Sequence, residues 1–192
     1  MQKLDPHTTA LVLIDLQQGI LGFAKGPRTA EHVLMASSKL AKHFRKIGAP
    51  VVLVRVGWSR DYGDTLKQPV DQPLTLPEGG LPSSWWDFPD VLDVSESDLL
   101  ITKRHWNAFH GTELDLQLRR RGIKTIVLGG ISTNIGVEST ARAGYELGYA
   151  LVLVEDAMSS FASEHHVASV NHIFPRIGLV RQSKDVIDAL LD

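Results

Sequence analysis

Leu128-Gly129-Gly130-Ile131-Ser132-Thr133-Asn134-Ile135-Gly136-Val137-Glu138-Ser139-Thr140-Ala141 is the stretch that decides how this chain folds. It is entered from Ile123 to Leu128, an apolar run of the kind that forms a strand buried on both faces. It continues into Asn134 to Leu147, whose spacing predicts a helix. The paired glycines permit close backbone approach, and Thr133 or Asn134 can cap the helix that follows. Backbone N–H groups at such a helix start form a ready site for an anion or an oxyanion. The same pattern also describes an ordinary strand-to-helix turn.

Working outward, the same alternation repeats. Ala10-Leu11-Val12-Leu13-Ile14 and Val51-Val52-Leu53-Val54-Arg55-Val56 predict strands, separated by a helix from Glu31 to Ile47 that stops at Gly48-Ala49-Pro50. Asp98 to Thr102 predicts a third strand, Ala150 to Val154 a fifth and Ile177 to Val180 a last, with helices from Thr112 to Arg121 and from near Ser163 between them. Strands alternating with helices imply right-handed crossovers. The expected fold is therefore α/β: a three-layer αβα, Rossmann-like arrangement around a mostly parallel six-stranded sheet, one domain over residues 1–192. The segment from Gly57 to Ser97 breaks the rhythm. It holds five of the nine prolines with Trp58, Trp85 and Trp86, and predicts a lid, binding loop or oligomer contact.

Bulk properties narrow the function classes. A formal net charge of -2 gives no reason to expect nucleic acid or an anionic membrane as partner. No apolar run is long enough to span a bilayer, and the first residues lack a signal-peptide core, so a cytoplasmic location is expected. With no cysteine among 192 residues, disulfides, thiolate metal sites and thiolate catalysis are all excluded. The eight histidines show no metal-ligand spacing, and His165 and His166 should point apart on a helix.

In an open parallel sheet, ligands bind outside the carboxyl ends of the strands. Asp15, Arg55, Lys103 and the Ile131 to Gly136 turn all follow directly on predicted strands and should converge there. A carboxylate that ends a buried strand is partly desolvated, which raises its pKa and suits it to proton transfer; helix capping is the alternative for Asp15. Lys103 beside it would hold a carboxylate ionised or orient a substrate carbonyl, whereas alone it reads as a surface lysine. Phe23, Trp58, Trp106 and Phe109 are candidates to wall the pocket, with Arg55 or Arg60 to pair a substrate carboxylate; core packing and solvation are their alternatives. For Ser132, Thr133 and Ser139 no histidine in these motifs is an evident base, so helix capping and packing account for Thr133 and Ser139. Arg119-Arg120-Arg121 reads as the solvated end of a helix.

The pieces Ala10-Leu11-Val12-Leu13-Ile14-Asp15-Leu16-Gln17, Lys103-Arg104-His105-Trp106-Asn107-Ala108-Phe109-His110-Gly111-Thr112, Gly130 to Arg142 and Val154-Glu155-Asp156-Ala157 occur in this order. Together they resemble the isochorismatase-like hydrolase superfamily over nearly the whole length. The resemblance implies an Asp, Lys and Cys triad that falls on Asp15, Lys103 and Gly136. It also implies a cis Ile131–Ser132 bond, an oxyanion cradle from the backbone N–H groups of Ser132 and Gly136, no cofactor, no metal, and a homo-oligomer acting on a small molecule. Amidase members need the thiol that Gly136 lacks. True isochorismatases lack it too: an acid protonates the enol carbon of a vinyl ether, water adds to the oxocarbenium ion, and no covalent enzyme intermediate forms. Removal of the Cys side chain is expected to enlarge the pocket. The implied function is thiol-independent hydrolysis of a vinyl ether such as isochorismate or a related small carboxylate, with Asp15 as general acid. The alternatives are a ring-opening or ester hydrolase using water directly, and a catalytically silent relative that binds a metabolite or a partner.

Overall fold

A computed structural model describes residues 3–190. Six strands form one sheet: β1 (Thr9–Ile14), β2 (Val51–Val56), β3 (Leu99–Lys103), β4 (Thr125–Ile131), β5 (Ala150–Ser159) and β6 (Leu179–Arg181). Their order is β3-β2-β1-β4-β5-β6, and every neighbouring pair is parallel. The expected mostly parallel sheet is thus wholly parallel within its ladder. Strand order reverses between β1 and β4, which makes their carboxyl ends the switch point where an α/β sheet opens a crevice.

Burial explains the near-continuous apolar strands. All six residues of β1 are buried, and alternate side chains feed two cores. Leu11, Leu13, Leu53, Val127 and Val152 face one way. They meet α2 (Ala30–Lys46), which buries Val33, Leu40, Ala41 and Phe44, and α7 (Ser183–Ala189), which buries Val186. Val12, Ile14, Val54, Leu128 and Leu153 face the other way. There they meet α3 (Leu114–Arg120), α4 (Glu138–Glu146) and α6 (Phe174–Ile177) through Leu114, Leu118, Ala141 and Phe174. Two shorter helices, α1 (Gln18–Leu21) and α5 (Ser163–Ala168), lie at the carboxyl edge. Among the described residues no helix is long and apolar enough to cross a membrane.

Three readings of the sequence need correction. The helix expected from Asn134 begins as a wide π turn over Thr133–Val137 before α4. Ile177 ends α6, so the last strand is Leu179–Arg181, because Pro175 near the start of α6 fits the first turn of a helix. β5 runs on to Ser159, past a break where the pairing jumps from Leu128↔Leu153 to Gly130↔Met158. The residues in that break are released from the β4 ladder, which frees Glu155 for side-chain work. The long Gly57–Ser97 segment is pinned at one end: Trp85 Nε1 donates to the Val56 carbonyl (2.8 Å), and the Gln17 amide donates to the carbonyls of Val56 (3.0 Å) and Trp85 (2.8 Å).

Candidate active site

β1 ends at a residue with unusual backbone. Asp15 has φ +53°, in the left-handed region that favours glycine, while its N–H still donates to Val54 at 2.9 Å. A non-glycine residue held there costs of order 1 kcal/mol, and such positions cluster at functional sites. The side chain is 5% exposed. Its Oδ2 accepts from Lys103 Nζ at 2.7 Å, and that ammonium also donates to the His105 carbonyl at 3.1 Å. Because β2 lies between β1 and β3, the lysine stem must bridge a strand to make this pair. Asp15 Oδ1 has no hydrogen-bond partner among the described residues. Burial pushes the carboxyl up to about 6, outweighing the charge and hydrogen bond of Lys103, which pull it down. A carboxyl with that affinity can hold and release a proton near neutral pH.

Facing Asp15 is the turn after β4. Gly130 has φ +130°, and a Cβ there would run into the backbone of Ile14, carbonyl included, so only glycine lets β4 close on the end of β1. The Ile131–Ser132 peptide is cis, as the family resemblance implies. Gly136 is buried in the π turn. A Cβ built on it would lie 2.9 Å from Ile14 Cγ2, 3.2 Å from Asp15 Oδ2 and 3.6 Å from the Trp106 carbonyl. Any side chain at this position would press on Ile14 and the Asp15 carboxylate.

Asp15, Lys103 and Gly136, far apart in sequence, therefore meet at the carboxyl edge of the sheet, with half-buried Ser132 in the same turn. The other candidates scatter. Arg55 and Thr102 are register partners one residue before Val56 and Lys103, so they face the opposite side of the sheet from Lys103. There Arg55 Nε donates to Thr102 Oγ1 (3.0 Å) and its guanidinium lies 5.4 Å from the centre of the Trp86 ring. Phe109 stacks on Tyr149 at 5.8 Å and packs against Gly144 of α4, which is a core contact. Trp106 is 65% exposed, Phe23 is exposed, and Trp58 is half-buried with Nε1 donating to the Arg104 carbonyl at 3.1 Å. Trp58 and Arg60 line a cavity of about 390 Å³ with Gly79, Leu81, Ser83 and Trp86. All six residues belong to the Gly57–Ser97 segment, and none of Asp15, Lys103, Ser132 or Gly136 lines that cavity.

A second polar cluster adjoins the same turn. Thr133 Oγ1 bonds His166 Nδ1 (2.8 Å), His166 Nε2 bonds Glu155 Oε1 (3.1 Å), and Glu155 also accepts from Arg28 (2.7 Å) and Gln182 (2.6 Å). Neither Thr133 nor Asn134 caps a helix as expected; the Asn134 side-chain Oδ1 accepts from the Ser160 hydroxyl instead. His165 is exposed while His166 is buried, so the two do point apart. The one sequence signal for this cluster is Glu155 in a matched motif; His166 is the single buried residue of α5. Sequence spacing cannot show that they meet. Among the described residues no group of three or more His, Asp or Glu is placed to hold a metal ion.

Comparison with known proteins identifies the family. Residues 9–185 match the isochorismatase domain. The chain is 58% identical over 190 residues to the uncharacterized isochorismatase family protein YecD of Escherichia coli O157:H7, covering 99% of this chain and all of that one. It is 45% identical over 186 residues to the family protein YwoC of Bacillus subtilis, covering 97% and 96% of the two chains. An isochorismatase family protein from Burkholderia thailandensis superposes with a TM-score of 0.92 at 42% identity, covering 99% of this chain and 98% of that one. On sequence and on architecture, the chain belongs to the isochorismatase family and has that family's hydrolase fold.

Proposed function

We propose that this protein hydrolyses the vinyl ether of isochorismate or of a related small carboxylate, with Asp15 as general acid. The observation that carries the reading is the buried Asp15–Lys103 pair set against Gly136 in a chain without cysteine. A protonated Asp15 delivers its proton to the enol carbon, water adds to the resulting oxocarbenium ion, and the hemiketal collapses to pyruvate and an alcohol. Proton, water and leaving group balance without a covalent enzyme intermediate. Lys103 keeps the carboxylate that remains from being stranded in an apolar site. Backbone N–H groups of Ser132 and Gly136 supply the polar cradle.

The cavity lined by Trp58, Arg60 and Trp86 includes none of Asp15, Lys103, Ser132 or Gly136, so the reading rests on those four residues and not on that cavity. A small-molecule substrate and no nucleic acid fit the net charge of -2; a cytoplasmic homo-oligomer is the reading carried by the resemblance. The test is pyruvate release from isochorismate by the parent protein and by Asp15→Asn, side by side. The parent should turn over and the variant should lose at least about 10³-fold in rate while still binding ligand, since only proton delivery is removed. Equal rates would take Asp15 out of the mechanism. Saturable binding without turnover by either protein would identify a silent metabolite binder.

A further inference from the structure

His166 has no part in the chemistry above, yet it is 2% exposed and bonded through both ring nitrogens. Its partners come from separate parts of the chain. Thr133 opens the π turn that contains Gly136, and Glu155 sits in the break of β5. Arg28 precedes α2 and Gln182 precedes α7; both donate to Glu155. Arg28 also donates to the Glu155 carbonyl at 3.1 Å, so that carboxylate is held from several directions. A carboxylate so supplied with donors is an acceptor only. In the neutral ring it therefore draws the imidazole proton to Nε2 and leaves Nδ1 as a lone pair. Nδ1 can then only accept, so the Thr133 hydroxyl must donate to it.

Thr133, His166 and Glu155 present a hydroxyl, an imidazole and a carboxylate in sequence, the parts of a nucleophilic triad. Burial removes that reading, because Thr133 is 0% exposed and no substrate atom can reach its oxygen. What the chain of bonds can do is orient. We propose that His166 is a positioning residue: fixed by Glu155 with its proton on Nε2, it holds Thr133 through Nδ1 and so seats the Thr133–Val137 turn, Gly136 included, against Asp15. The seat is tight, with the Cβ position of Gly136 3.2 Å from Asp15 Oδ2 and 2.9 Å from Ile14 Cγ2. Loosening the turn lets water reach a carboxyl whose proton affinity rests on burial. The inference deepens the reading of Asp15 as the acid, and its test uses no substrate.

Two measurements test it. Nitrogen-15 NMR of the parent protein should show His166 protonated on Nε2 and hydrogen-bonded as an acceptor at Nδ1. Titration of the Asp15 carboxyl by carbon-13 NMR should then be compared across four variants. Thr133→Val keeps the shape and removes the hydroxyl, and His166→Gln reaches Glu155 but not Thr133; both should lower the Asp15 midpoint by about one pH unit. Thr133→Ser keeps the hydroxyl, and His166→Asn places an amide where Nδ1 was; both should titrate as the parent does. A ring protonated on Nδ1 would overturn the proposal on the parent alone, whether or not any variant folds. So would four variants that all titrate like the parent, or four that all shift alike, since then the Thr133 hydrogen bond is not what seats the turn. Failure of the parent to cleave isochorismate would instead sink the proposed reaction and leave these results standing.

Discussion

Asp15 and Glu155 are both carboxylates near the carboxyl edge of the sheet, each paired with a cation, and their proton affinities move in opposite directions. Asp15 has one donor, the Lys103 ammonium, and a free oxygen, and burial pushes it up to about 6. Glu155 is held down at about 2, first by the His166 hydrogen bond and then, against burial, by Gln182 and Arg28. The number of donors and the depth of burial decide the outcome, not the presence of a cation. A saturated carboxylate is locked as an ion and serves as scaffold. An undersupplied, buried one keeps a proton within reach and can trade it.

Perturbing each side should break or sharpen that contrast. The largest effect is kinetic. Turnover that needs a protonated Asp15 should fall about tenfold per pH unit above about 6. Lys103→Met removes the group that pulls Asp15 down, so this limb should move to higher pH; a limb that stays in place would show that Lys103 does not set it. The same variant leaves a buried carboxylate without its partner and should lose about 3 kcal/mol in denaturant unfolding at pH 8. The loss should shrink at pH 5, where Asp15 binds a proton and no ion is stranded.

Next in size is Gly136→Ala, which forces a methyl between Ile14 and Asp15 and should cost about 2 kcal/mol by overpacking. An unchanged denaturation midpoint would mean that Ile14 yields freely. Gly136→Cys meets the same obstacle, so a restored thiol would require Ile14 to shift and Asp15 to give slightly.

The smallest effect belongs to the saturated side. The folded-state pKa of Glu155 lies below its ordinary value of 4.5, so its contribution is present above that value and is lost as pH falls toward about 2. Glu155→Gln should therefore be less stable than the parent at pH 7, by about 1 kcal/mol after allowing for partial solvent screening. Thermal unfolding of the two should converge between pH 4.5 and 2. A constant gap over that range would show that the charge of Glu155 is not what stabilises.

The two regions also differ in how far they could be read from the chain. Asp15 follows five apolar residues and Lys103 follows a predicted strand, so both were legible as strand-end groups at the sheet's carboxyl edge. Glu155 stands in a matched motif, yet its freedom depends on a break in pairing with β4 that no local pattern marks. Arg55 and Phe109 were drawn toward the site by residue type. Register turned Arg55 to the other face, and α4 took Phe109 into its packing.

What the sequence determined by itself is the alternation of buried strands and amphipathic helices, the absence of a thiol and the glycines that let β4 close on β1. These follow from local periodicity, composition and backbone sterics, which travel with the residues. What only the tertiary structure decided is that Gly136 faces Ile14 and Asp15, that Asp15 is paired once and Glu155 several times, and that His166 reaches the turn. Those outcomes depend on distances between segments far apart in the chain. Burial and hydrogen-bond supply, the quantities that set a carboxylate's proton affinity, exist only once those segments have met.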